Sequence, residues 1–410
     1  MTKPHVLCNV DVAVIGAGIV GLGIAWTVAQ SGRTVIVIDP APASGATFAA
    51  AGMLAPVSEL HYQEEGLLDL TLASAALYPA FVTALEADGA CTGYQITRTI
   101  TVGADAADRQ SLSDLRQVQL GHGLIVEPLT IRQARSMEPM LSPQLSGAFS
   151  VEQDHQVDPR QLAERLESSL AMWAKREKWT HSHLSRQSAT GLLHSNATNT
   201  SSRVTGVALA DGSTVTAGEV IVANGLAASN LHGLPDWLNL SLRPVYGDIL
   251  RLRVPEHLQP LLTATIRGVV RGNPVYIVPR SDGTVVLGAT SREDGSAAVS
   301  AGGVHQLLRD GQVLVPAVAE LELIETTARA RPGTPDNAPL LGRVSNDSEQ
   351  FGDDIAGLII ATGFFRHGVL LTPIAAQVCL QLLDGTPDAR WNRFRPDRFS
   401  LPIPRKAPHD

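Results

Sequence analysis

Cysteine is scarce in this chain: three in 410 residues (Cys8, Cys91, Cys379), scattered and without a C-x-x-C pair. Neither a disulfide framework nor a thiolate zinc site follows from such spacing. Lysine and arginine form no run, and the net charge is −8. A nucleic-acid surface needs clustered cations, so that class of partner is excluded. The 12 histidines are dispersed, with neither metal-ligand spacing nor a Ser-His-Asp order. The stretch Val12–Ala29 has 18 residues without a charge, but Gly16, Gly18, Gly21 and Gly23 interrupt it, and a second apolar run follows at once at 35–38. Glycine is costly inside an isolated helix, and a signal peptide needs a small-residue cleavage site followed by a mature start. A cytoplasmic protein with no membrane partner is therefore expected. Four N-x-S/T matches (Asn196, Asn199, Asn239, Asn346) carry little weight without a secretory signal. Hydrophobic content of 44 % and charged content of 18 % are ordinary for a soluble chain, and the length suits two domains.

The glycines of that apolar run carry the first positive signal. Val12 to Ile15 reads as a parallel strand covered on both faces. Gly16-Ala17-Gly18-Ile19-Val20-Gly21 fits G-x-G-x-x-G, and a helix from Ile19 to Gln30 is stopped by Gly32. Gly16 permits the tight turn, Gly18 lets backbone N–H groups approach a pyrophosphate, and Gly21 lets the helix lie close to the sheet. The helix N-terminus favours the phosphate charge. Asp39 ends the second strand 18 residues after Gly21, where a carboxylate can bind a ribose hydroxyl. The pattern predicts dinucleotide binding, with nicotinamide and flavin cofactors both open.

Downstream, the stretch 41–56 (APASGATFAAAGMLAP) reads as a small-residue loop able to lie against a flat ligand, or as the start of a small-residue helix. Helices are expected over 67–85, 107–122 and 159–173, the last capped by Asp158 with Pro159 in its first position, and another starts near Thr130. Strands are expected over 99–102, 220–225 and 358–363. Hairpins are expected around Asp211-Gly212 and around the RSDGT turn between 276–279 and 285–288. The polar stretch 187–203 reads as a hairpin tip or surface loop. A final helix opens with Thr372 as cap and Pro373 in its first turn. Nucleotide-domain elements thus recur near 10–40, 155–230 and 355–385 with strand-rich material between them. A discontinuous nucleotide domain favours flavin.

Taken in order, GAGIVG, Asp39, GATFAAAGMLAP, VIVANG, VYIVPR, ARPGTPDNAPLLG and ATGFFRHGVLLTP resemble the FAD-dependent amine oxidases of the D-amino-acid oxidase superfamily, and within it the glycine oxidases of thiamine synthesis. The resemblance spans nearly the whole chain. It implies an α/β plus α+β fold: a discontinuous Rossmann-like FAD-binding domain (1–90, 151–235 and 325–400) with an inserted antiparallel-sheet substrate domain (91–150 and 236–324) and a tail (401–410). It also implies that Ile19, Val20, Asp39 and Pro40 hold the adenosine half of non-covalent FAD, with Gly16, Gly18 and Gly21 forming the cofactor-binding turn. Ala46, Thr47, Ala51, Gly52 and Met53 would lie against the pyrophosphate, ribityl chain and ring. Phe364, Phe365, Arg366, His367, Gly368, Val369 and Leu370 would wrap the pyrimidine side. Arg331 would bind the substrate carboxylate, Tyr276 would assist through its hydroxyl, and Arg366 would stand beside the amine. The sequence departs from the family at Phe364 and His367, which stand where His and Asn respectively are common, and at Ser291, where a methionine occurs.

A planar guanidinium suits a carboxylate because its fork meets both oxygens, which fits Arg331. The bland alternative pairs Arg331 with Glu325 or Asp336 at the surface. The helix at Thr372 would favour an anionic reduced ring if its N-terminus faced the flavin, or would be a plain amphipathic helix. His367 could be a solvated loop residue as easily as a flavin contact. The expected reaction is oxidation of glycine, and of sarcosine or small D-amino acids, with O2 as the acceptor. A D-amino-acid dehydrogenase passing electrons to a carrier, and a non-catalytic flavoprotein subunit, are the alternatives. A homo-oligomer and a thiazole-synthesis partner are further expectations.

Overall fold

A computed structural model describes residues 5–196, 199–200, 202–346 and 353–400. The tail at 401–410 lies outside the described residues. The chain divides into two compact units, one of Met1–Ser44, Ala163–Arg243 and Arg331–Asp410, the other of Gly45–Leu162 and Pro244–Ala330.

The first unit is built on an eight-stranded sheet. Its main path runs Leu340–Gly342, Leu358–Thr362, Thr214–Val222, Val6–Ile15, Val35–Ile38 and Leu184–Ser185. All of these pair in parallel except the first two strands. Val12, Val14, Ile221, Ile359 and Ile36 are each 1 % exposed or less, as expected of parallel strands covered on both faces, and this is why they read as continuous apolar runs. Helix Ile19–Gln30 follows the first strand and lies against helix Thr372–Leu383. A Cβ at Gly21 would sit 2.0 Å from the Gly16 carbonyl oxygen, so only glycine allows this helix its approach.

In the second unit another eight-stranded sheet runs Glu322–Gly333, Arg243–Arg253, Thr284–Gly288, Asn273–Pro279, Thr265–Val270, Thr99–Gly103, Gly147–Val151 and Glu127–Leu129. Period-two alternation gives the sheet two different faces. Val275 and Ile277, with Leu250, Leu252, Ile266 and Leu287, join one apolar core with Leu307 and Leu314 of helix Ala301–Leu314. Tyr276, Val278 and Arg280 emerge on the opposite face.

Three sequence expectations are revised. Residues 45–90, 151–162 and 325–330 group with the second unit, and 236–243 with the first. The cause is local packing: Met53–Leu54 pairs with His155–Gln156, and Val57, Leu60 and Leu68 share a core with Leu124, Phe149 and Val151. The stretch 187–203 is not all loop, because Ala189–His194 forms a strand antiparallel to Val204–Leu209. Thr372 is the first helical residue and Leu371 the cap. The Thr372 hydroxyl donates back to the Gly368 carbonyl at 2.9 Å. One further helix, Glu65–Leu85, is long and apolar enough to cross a membrane by length and composition. Within the unit its Leu68, Leu70, Tyr78, Val82 and Leu85 are buried.

Candidate functional site

In the first unit, Gly16 has φ +106°, and a Cβ there would lie 2.6 Å from the Ala223 carbonyl oxygen. The Asp39 carboxylate organises this turn. Its Oδ2 accepts the Ala17 N–H at 2.7 Å and its Oδ1 the Ala41 N–H at 2.8 Å. Gly18 caps helix Ile19–Gln30 without a side-chain acceptor, and no acidic residue lies in the first turn. The positive end of the helix dipole is therefore not neutralised by its own first turn. Ile19 and Val20 are buried, whereas Pro40 is exposed.

Arg331 and Arg366 are brought together by the backbone. Arg331 is half-buried and lies within strand Glu322–Gly333, near its end. The next residue, Pro332, accepts the Phe365 N–H at 3.0 Å. Gly363 has φ +73°, and a Cβ there would meet the Thr334 methyl at 2.7 Å. Phe365 has φ +46°. Arg366 lies 4.9 Å from its ring centroid and Arg243 5.9 Å. Arg243 is itself fixed, donating to the Thr334 carbonyl and to Asn337 Oδ1 at 3.0 Å. His367 is 3 % exposed, so it is no solvated loop residue. Its N–H donates to Phe364 and its carbonyl accepts from Leu371, which winds 364–371 into a tight approach to the last helix. Phe364, Val369 and Leu370 are buried there, and Gly368 supplies the carbonyl held by Thr372. Both carboxylates once considered for Arg331 pair elsewhere: Glu325 with Arg160 at 2.6 Å and Asp336 with Arg398 at 2.9 Å.

The second unit carries the other group of sequence-derived residues. Ala46–Ala49 forms one helical turn, with Thr47 buried, so the stretch 41–56 is part loop and part helix. Gly52 then turns the chain with φ +74°, where a Cβ would lie 1.9 Å from the Val157 carbonyl oxygen. The Val157 N–H closes this turn on the Gly52 carbonyl at 2.9 Å. Ala51 and Gly52 are buried. Among the described residues, neither of their N–H groups has an acceptor. Orphaned backbone donors in buried residues are rare, and adjacent ones beside a left-handed glycine suit an electron-rich ligand edge. Ala51 and Met53 share a small cluster with Tyr276, Ile249, Val278, Val286 and Ala289. Tyr276 stands in register with Gly288 on one side and Arg267 on the other. A Cβ at Gly288 would lie 2.5 Å from the tyrosine hydroxyl, so this glycine admits the ring. Arg267 pairs with Glu59 at 2.5 Å and approaches the Met53 sulfur at 3.6 Å. Ser291 is exposed and lies outside this cluster.

Sequence reasoning missed the arginines that hold this loop. Arg280, whose side chain is 4 % exposed, donates to the Ala51 carbonyl, to the Val157 carbonyl at 2.9 Å and to Gln156 Oε1 at 3.3 Å. Burial pushes its pKa down to about 10, against the raising influence of Asp158. Arg160 donates to the Phe48 carbonyl at 2.9 Å and lies 3.6 Å from the Phe48 ring centroid. The signal for Arg280 was available, since alternation places it two positions beyond Val278 on the face of Tyr276.

The family described as FAD dependent oxidoreductase matches residues 11–382. A glycine oxidase of Geobacillus kaustophilus (strain HTA426) is 32 % identical over 379 residues, 91 % of this chain and 93 % of that protein. The bifunctional protein ThiO/ThiG of Trichormus variabilis (strain ATCC 29413 / PCC 7937) is 29 % identical over 392 residues, 95 % of this chain but 55 % of its own length. The crystal structure of glycine oxidase from Geobacillus kaustophilus superposes with a TM-score of 0.82 at 29 % identity, covering 96 % of this chain and 100 % of that one.

Proposed function

Because the chain belongs to the FAD dependent oxidoreductase family, we propose that it oxidises glycine, and sarcosine or small D-amino acids beside it, to the imine. Water then gives glyoxylate and ammonia from glycine, and oxygen leaves as hydrogen peroxide. FAD held by this chain would supply the hydride acceptor for the substrate Cα and the route for electrons to oxygen. The chain's own part is binding and orientation. Asp39, Pro40, Ile19 and Val20 hold the adenosine half, and the turn Gly16–Gly21 lies against the pyrophosphate. Ala46, Thr47 and the orphaned donors of Ala51 and Gly52, with Met53, serve the rest of the cofactor, and Phe364–Leu370 its pyrimidine side. The first-turn dipole of helix Thr372–Leu383, which has no acidic residue there, favours negative charge on the ring. Arg331 binds the substrate carboxylate through its fork, Tyr276 adds its hydroxyl, and Arg366 stands by the amine.

The observation that carries the reading is the bond between Phe365 and Pro332, which couples the Arg331 strand to the segment 364–371. Glyoxylate and peroxide formed in equal amounts from glycine, with matching oxygen uptake, test it. Reduction of a dye without oxygen uptake would instead assign the dehydrogenase alternative. Supply of the imine to a thiazole-forming partner is also proposed, supported by the bifunctional ThiO/ThiG relative. Non-covalent FAD, cytoplasmic residence and a homo-oligomer complete the proposal, with acid release of all yellow colour, cell fractionation and light scattering as their respective checks.

A further inference from the structure

We propose that Arg280 is a positioning residue for the cofactor-facing peptide Ala51–Gly52, and that its buried charge makes that peptide a stronger donor. The inference rests on the flavin reading above. A peptide unit is one dipole: the group that takes its carbonyl also polarises its N–H. Arg280 takes the Ala51 carbonyl, and the N–H of the same peptide unit belongs to Gly52. That N–H has no acceptor among the described residues. The guanidinium cannot drift from this position. A second bond to the Val157 carbonyl at 2.9 Å ties it to the residue that closes the Gly52 turn.

Plain stapling of a loop would need a hydrogen bond, not a buried cation. A buried charge costs several kcal/mol unless compensated, and compensation here is incomplete. Asp158 Oδ2 stands 3.9 Å from Arg280 Nε, beyond hydrogen-bond reach. Arg251 lies on the same sheet face, in register with Val286, itself opposite Val278. Its side chain is 9 % exposed, its Nε lies 3.8 Å from Glu325, and neither Nε nor Nη2 has a hydrogen-bond partner. Arg160, Arg251 and Arg280 face Asp158, Glu325 and the exposed Asp282, yet no carboxylate hydrogen-bonds Arg280, whose buried guanidinium is set against the carbonyls of Ala51 and Val157. Fixed positive charge in a site of low dielectric favours whatever becomes more negative beside it. The cofactor does so on reduction.

Two substitutions push the charge in opposite directions. Arg280→Met removes the cation and should lower the midpoint potential of bound FAD, slow reduction by glycine more than it raises KM, and weaken FAD binding to apoprotein about tenfold. Asp158→Asn removes the opposing anion while keeping a good cap for helix Pro159–Arg176, and should raise the midpoint potential. Arg280→Lys keeps the charge but not both carbonyl bonds, and should recover the potential more fully than the affinity. Should Arg280→Met fail to fold by thermal melting, the Asn and Lys variants still decide the matter. Wild-type midpoint potentials in the variants that fold would overturn the proposal and leave Arg280 a structural staple. Wild-type protein that takes up no FAD would instead sink the flavin reading itself, and this inference with it.

Discussion

The Phe365 N–H donates to the Pro332 carbonyl at 3.0 Å, and this bond fixes how Arg331 and Arg366 are presented. Each arginine is the immediate neighbour of one bonded residue. One side of the bond is a strand end, the other a residue held at φ +46°. A positive φ is strained for a bulky aromatic residue, and the surrounding contacts hold it: Arg243 and Arg366 against the ring, and the Gly363 turn just before it.

If Arg331 binds the substrate carboxylate, Arg331→Ala should lower kcat/KM for glycine by roughly 3–5 kcal/mol, two to three decades or more. Arg331→Lys retains charge without the planar fork and should fall between. Steady-state kinetics are the measurement, with the visible flavin spectrum unchanged as the control. Normal glycine kinetics in Arg331→Ala would move the carboxylate site elsewhere, with Arg366 the next candidate.

Asp39 has two structural duties before any ligand arrives, holding the N–H groups of Ala17 and Ala41. Asp39→Ala should therefore loosen the glycine turn as well as remove a ribose partner. Each charge-assisted bond lost costs on the order of 1.5–3 kcal/mol. Fluorescence titration of apoprotein with FAD should show at least a tenfold weaker affinity. Wild-type affinity would contradict the assignment.

Asp154 gives stability a pH dependence of unusual sign. It is fully buried, and burial pushes its pKa up to about 6 even though the N–H groups of Val57 and Ser58 favour its charged form. In the unfolded chain it titrates near about 4. The folded state therefore holds this proton more tightly. The contribution is present below about pH 4, declines as pH rises towards about 6, and is absent above that. The difference amounts to roughly 2–3 kcal/mol. Asp154→Asn should remove this decline, so the variant's stability relative to wild type should rise between pH 4 and 6.5. Urea unfolding at several pH values measures it, and a pH-independent difference would contradict the burial effect.

Much of the first unit was legible because parallel strands and their glycine turn obey rules a sequence states openly. Helix Ile19–Gln30 and strand Val35–Ile38 stand where the apolar run and its glycines put them. Thr130 caps helix Ile131–Met137, with Gln133 completing a reciprocal box. What could not be read was set by distant partners. Residues 45–90 sit with the second unit because Met53–Leu54 pairs with a segment about a hundred residues away, and no local pattern announces that. Strand Ala189–His194 hides in a polar stretch because Ser195, Asn196 and Arg203 and their neighbours dominate the composition of 187–203. Alternation puts Arg280 on the Tyr276 face, but its carbonyl partners Ala51 and Val157 come from distant segments. Tyr276 was named through resemblance alone; the guanidinium of Arg331 suits a carboxylate, but only the resemblance singled it out from the other arginines.

The central claim is that an amino acid delivers its electrons to FAD held by this chain. Anaerobic titration of the purified yellow protein with glycine, sarcosine and D-alanine tests it most directly. The visible absorbance of the oxidised flavin should fall on glycine addition and return when air is admitted, with glyoxylate as the product. A flavin that stays oxidised with all three substrates would contradict the account.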